Sequence, residues 1–307
     1  MSNTPWNVAE TALLQRWVQD GLDSQRISQE FGKLGIARTY KACSRKIQQE
    51  RKRVPGAWHA MVAQSPFAPL QEPPTLDGNT LLLFDLHIPW HDAKLVNQLN
   101  ELALKWGVEN LGIGGDLLDL NAFSWFGRTE GVEARREFDA GRQAIRAFSA
   151  NFKHKVYAPG NHEMRLSRLT GHALQVQDAM MLWCNDPTVI TTDHHWFWVL
   201  SGGQTFQIEH PKGTSIHAAV VPAKLCSKYQ THVIAGHGHI WGISKDTSGK
   251  FWAVDAGVCC DSSRMEFGNL EHNTRPMQMK GAVIIMDGIP ILLTPGNINF
   301  FEGMRRG

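Results

Sequence analysis

TLLLFDLH, residues 80–87, and NLGIGGDLLD, residues 110–119, are built alike. In each, a short aliphatic run stops at residues bearing carboxylate or imidazole. An apolar run of this length, bounded by small or turn-forming residues, reads as a buried strand. The pattern recurs along the chain. Residues 155–158 lead to Gly160-Asn161-His162-Glu163, 205–209 to His210, and 232–235 to Gly236-His237-Gly238-His239; 251–255 close on Asp255-Ala256-Gly257. Further strands are expected over 196–200, 282–286 and 291–293, and helices over 93–106, 131–150 and 218–229. Strand-helix alternation early and clustered strands late predict an α/β fold, a layered sandwich of two mixed β-sheets flanked by helices.

Composition agrees with a packed globular chain. Of 307 residues, 42% are hydrophobic and 20% charged, and eleven Trp supply large apolar area. Five of the fourteen His lie in the motifs above, which explains most of their excess. Five Cys (Cys43, Cys184, Cys226, Cys259 and Cys260) show no zinc-knuckle or CxxC spacing, so free thiols in a reducing, cytoplasmic compartment are expected. The polar first ten residues lack a signal-peptide pattern, and no apolar run approaches ~18 residues, so no membrane association is expected.

The charge is unevenly spread. Residues 1–60 hold ten Lys/Arg against five Asp/Glu, and the remainder 21 against 24. The basic part reads as three helices over about 5–53. Leu13, Leu14, Trp17 and Val18 share one face of the first, Gly21 ends it, Ser24 caps the second and Thr39 the third. The third helix turns Tyr40, Lys41, Ser44, Arg45, Gln48 and Arg51 outward, groups that reach phosphates and base edges. This segment resembles a Myb-like or SANT-like helix-turn-helix. That implies a putting of Lys41, Arg45 and Arg51 on nucleic acid; the bland alternative is a protein-binding or packing module. Five prolines between 55 and 74 forbid a regular helix. The expected order is a helix-turn-helix domain over 1–55, a Pro-rich linker over 56–78 and a catalytic domain over 79–307.

Asp85 and His87 stand two apart at a strand end, as do His237 and His239, a spacing that turns both side chains of a pair to one face. Asp116 follows small residues that let backbone turn close to an ion, and its two oxygens can bridge two cations. Asn161 offers an amide oxygen and His210 an imidazole. Seven such ligands suit two ions roughly 3.5–4 Å apart, as in phosphate-cleaving centres. Arg165 and Arg168 follow at helical spacing as candidate binders of substrate phosphate. His217 competes with His210 but sits at a helix start.

Taken in order, these motifs resemble the calcineurin-like metallophosphoesterase superfamily over about 79–300. The resemblance implies that Asp85, His87, Asp116 and His239 hold one metal and Asp116, Asn161, His210 and His237 the other. It further implies a metal-bridging hydroxide that attacks phosphorus, with His162 protonating the leaving oxygen and Asp119 fixing the His162 ring. Manganese is the first expectation for the two divalent ions, with Zn, Fe, Ni or Mg as alternatives. The second motif continues Asp119-Leu120-Asn121 rather than Asp-Arg-Gly. That looks more like the nuclease and phosphodiesterase branch, including phage-encoded members, than the protein phosphatases. With a basic head, the expected substrate is nucleic acid, DNA ahead of RNA. The rivals are a phosphomonoesterase or protein phosphatase with a protein-binding head, and a non-enzymatic DNA-binding regulator.

Overall fold

A computed structural model describes residues 4–54, 56–59, 72–124, 133–264 and 278–304. The chain forms two compact units, Met1–Gln71 and Glu72–Gly307.

The first unit holds helices α1 (Val8–Gln19), α2 (Ser24–Lys33) and α3 (Tyr40–Arg53). Asn7 and Glu10 close α1 with a reciprocal capping box, and Thr39 caps α3. The cap of α2 is Asp23 rather than Ser24: its carboxylate accepts from the amides of Gln25 and Arg26, and a negative charge suits a helix N-terminus better than a hydroxyl. Leu14, Val18, Ile27, Phe31, Cys43, Ile47 and Trp58 form the core. Trp58 lies within the stretch read as a linker, yet it is 3% exposed and its carbonyl accepts from Arg51 Nε at 2.8 Å. Arg38 and Glu10 form a buried pair at 2.6 Å, with Arg38 also over the Trp6 ring. Removing one partner would strand a buried charge, at a cost of about 3–5 kcal/mol.

The second unit is a two-sheet sandwich. One sheet runs β12 (Ile289–Leu293), β11 (Ala282–Met286), β2 (Thr80–Leu83), β3 (Asn110–Gly114), β4 (His154–Ala158), β5 (Val189–Thr191). The other runs β1 (Thr75–Asp77), β6 (Trp196–Ser201), β7 (Gln204–Glu209), β8 (His232–Ala235), β10 (Trp252–Ala256), β9 (Trp241–Lys245). Strand β1 also falls within the stretch read as a linker and pairs parallel to β6.

Leu82, Phe84, Val156, Phe197, Phe206, Ile208, Ile234, Val254 and Ile285 fill the space between the sheets. The outer face of the first sheet is covered by helices α4 (Ala93–Lys105), α5 (Ala134–Asn151) and α7 (Val176–Cys184), through Leu99, Ile145, Phe148 and Trp183. Helix α8 (Val220–Tyr229) covers the second sheet through Cys226. Strands β2, β3 and β4 are mutually parallel, and so are β7, β8 and β10. Their carboxyl ends lead into the motif residues, and the opposite end carries tight turns such as Gly202–Gly203.

Candidate metal centre

The candidate ligand residues lie just beyond the strands, not within them. β2 stops at Leu83, and Asp85 and His87 take left-handed backbone with φ of +50° and +45°. Asp116, His237 and His239 do the same at +49°, +68° and +57°. This corrects the expectation that strand alternation aims each i, i+2 pair at one place. His237 and His239 in fact diverge: His239 groups with Asp85 and His87, and His237 with Asp116 and His210. Non-glycine residues in this region cost of order 1–3 kcal/mol each and persist where surrounding structure holds them.

The holding contacts are on hand. Glu163, buried, accepts from the amides of Asp116, Leu118 and Gly160 at 2.8–3.1 Å and so fixes two ligand loops together. Asp85 Oδ2 accepts from the His237 amide at 2.9 Å, tying β2's loop to that of β8. Gly160 is required by close approach: a Cβ there would fall on Asp116 Oδ1 and lie 2.5 Å from the Asp116 amide nitrogen.

In the first group, His239 Nε2 stands 3.2 Å from Asp85 Oδ1 and 3.4 Å from His87 Nε2, and His87 Nε2 is 3.7 Å from Asp85 Oδ1. In the second, His210 Nε2 is 3.2 Å from Asp116 Oδ2 and 3.1 Å from Asn161 Oδ1. Donors about 2.0–2.2 Å from one shared ion stand roughly 2.9–3.6 Å from each other; the second group falls in that window, and in the first only the His87–Asp85 distance runs slightly over it. Asp116 Oδ2 is also 3.9 Å from His87 Nε2, which sets that carboxylate between the two groups. His210 Nδ1 donates to the Gly114 carbonyl at 3.1 Å, leaving Nε2 its lone pair for a cation. His217 is exposed, with its amide bonded to Ser215 Oγ, so His210 is the histidine brought to Asp116.

The field of the pocket favours positive charge. Burial works against a charged His87, yet the carboxylates of Asp119 and Asp85 outweigh it and raise its pKa to about 10. His210 is likewise raised, against burial, to about 9, chiefly by Asp116 and Asp85. Buried carboxylates that draw protons onto neighbouring imidazoles would hold divalent cations by the same attraction. Carboxylate, imidazole and amide oxygen are a donor set suited to Mn, Zn, Fe or Ni.

Beside the ligands sit His162, Asp119 and Arg165. Asp119 stands between two imidazoles, His162 and His87. Its Oδ1 is closer to His87 Nδ1, at 3.2 Å, than to His162 Nδ1, at 3.4 Å, and its Oδ2 accepts from the indole N–H of Trp90 at 3.2 Å. His162 Nδ1 instead donates to the Asp119 main-chain carbonyl. Arg165 Nη1 donates to that same carbonyl at 2.8 Å, and Nη2 faces His162 Nε2 at 3.3 Å. Burial lowers the His162 pKa to about 4, with the charges of His87 and Arg165 adding to the effect. Arg168 is exposed on helix α6 (Met164–Leu169) and is not brought to the centre. Sequence reasoning missed Trp90; only its nearness in the chain to His87 hinted at it.

No family model and no curated protein matches this chain. Among solved structures, it is similar to YfcE, a phosphoesterase from E. coli, at 13% identity and a TM-score of 0.37, over 70% of this chain and 98% of that one. It is also similar to Vps29 from Chaetomium thermophilum, at 12% and 0.36 over 67% and 78%, and to vacuolar protein sorting 29 from Cryptosporidium parvum, at 14% and 0.36 over 70% and 95%.

Proposed function

We propose that this chain is a two-metal phosphoesterase that cleaves phosphodiester bonds in nucleic acid, DNA ahead of RNA. The observation that carries the proposal is the pair of donor groups meeting at Asp116, with His162 and Arg165 alongside. Asp85, His87, His239 and Asp116 would hold one ion; Asp116, Asn161, His210 and His237 would hold the other. Two divalent ions there would supply Lewis acidity toward a phosphoryl oxygen and lower the pKa of water.

The chain's own groups do the rest. Asp119 steadies the imidazole of His87, and Trp90 steadies Asp119. Arg165 is half-buried and already aimed at His162 Nε2, so its guanidinium can turn to a phosphoryl oxygen. As held here, His162 carries its proton on Nδ1. To protonate the leaving oxygen it takes up a second proton at Nε2, which the negative charge of an arriving phosphate favours. The basic first unit supports the choice of polymer. Lys41, Arg45, Gln48 and Lys52 are exposed at positions i, i+4, i+7 and i+11 of α3, one stripe of the helix.

The test is metal-free protein reloaded with Mn²⁺, Zn²⁺, Ni²⁺ or Mg²⁺ and assayed on bis-nitrophenyl phosphate, nitrophenyl phosphate, DNA and RNA. Metal-dependent cleavage of the bis-ester and of DNA is expected. Cleavage of the mono-ester alone would replace this reading with a phosphomonoesterase.

A further inference from the structure

We propose that Arg264, held against the ring of Trp90, is a second anion-binding point beside the metal centre, taking a substrate phosphate that flanks the one being cleaved. The proposal rests on the polynucleotide reading above. Arg264 ends a short 3-10 turn, Ser262–Arg264, and its side chain is exposed. Its guanidinium carbon stands 5.5 Å from the centre of the Trp90 ring. Trp90 is half-buried and anchored by its indole N–H on Asp119 Oδ2, while Asp119 Oδ1 touches His87. Three contacts thus link the cation to a ligand residue.

The contact with the ring restrains an otherwise floppy side chain, so less entropy is lost when an anion arrives. A guanidinium matches two phosphate oxygens at once, which an ammonium does not. Among the described residues, the charge of Arg264 is also unspent. The neighbouring cation, Lys280, is held by Asp92 at 2.6 Å and lies 3.9 Å from Asp261. Arg264 has no carboxylate at ion-pair distance among the described residues. Its field reaches across this rim: burial lowers the pKa of His91, and the Arg264 charge lowers it further. A mono-ester or a small bis-ester has no second phosphate to offer this cation. A polynucleotide always does.

The experiment uses the full chain loaded with Mn²⁺ and two sets of thymidine trinucleotides. In one set both linkages are ordinary phosphates; in the other, one linkage, in either position, is an uncharged methylphosphonate. The wild type should favour the fully charged trinucleotide over at least one methylphosphonate isomer by about tenfold in kcat/KM, mostly through KM. Arg264→Ala should bring that ratio close to one, and Arg264→Lys should keep part of it. Because Arg264 is exposed, its replacement leaves the buried core intact. If Arg264→Ala keeps the wild-type ratio, or the wild type shows no preference, Arg264 does not bind a flanking phosphate. If the wild type hydrolyses nitrophenyl phosphate but no trinucleotide, the polynucleotide reading itself falls, and this proposal with it.

Discussion

His162 and Gly160 show how much of this centre depends on single atoms. His162 is not needed as a ligand, so His162→Ala should retain metal by elemental analysis. Turnover of a diester with a poor leaving group should fall roughly 10²–10⁴-fold. Nitrophenolate needs no proton to leave, so the bis-nitrophenyl ester should suffer much less, and an equal loss on both would reject the acid role. Gly160→Ala tests the bridge from the other side. Gly160 has no left-handed backbone to defend, so the clash of the new methyl with Asp116 is the whole cost. The variant should fold and yet bind less than half the wild-type metal.

At the scale of elements, α3 offers a prediction that sequence alone would have drawn differently. Arg51 is exposed, as helical counting expects, but its Nε is bonded to the Trp58 carbonyl, which ties up part of its guanidinium. Lys41 and Arg45 remain as the exposed cations at its start. If each contacts one phosphate, replacing both by Ala in the full chain should lower the slope of log K against log salt by about 1.8 for duplex DNA. An unchanged slope would leave the helix without a role in binding the polymer. The strands that were legible, β2, β3, β8 and β11, are continuous apolar runs buried on both faces. β9 was not, because Trp241–Lys245 is an edge strand with mixed exposure and no apolar run. β1 and β5 have three residues each, too few for a period to register. The residues that gather at the candidate centre were legible because their chemistry is written in their side chains. The left-handed turns that aim them, and the sharing of Asp119 between His87 and Trp90, depend on neighbours distant in the chain and leave no local pattern.

For the whole second unit, one buried acid sets a pH dependence. Glu137, in the first turn of α5, is fully buried. Burial raises its pKa to about 7, and the charge of Asp119 adds to the rise. The folded protein therefore keeps a proton that the unfolded chain, with an ordinary Glu near 4.3, gives up earlier. The resulting stability is complete below about pH 4 and is lost as pH climbs through about 7. Glu137→Gln cannot ionise. Its Tm relative to wild type should rise between pH 5 and about pH 7 and level off above that; a constant difference would mean that Glu137 does not titrate in this range.

The turn at Gly202–Gly203 has a practical side. It joins β6 to β7 at the end of the sandwich remote from Asp116, and nothing lies within 4 Å of where a side chain on Gly203 would begin. Gly202, by contrast, is pressed against Asp287 and tolerates no addition. A tag or tether spliced in after Gly203 would therefore anchor the molecule to a bead or a slide from the end opposite the candidate centre. Such a fusion should hold as much metal as the untouched chain and turn over the bis-ester at the same rate, a ready format for asking whether single molecules cut a stretched polymer.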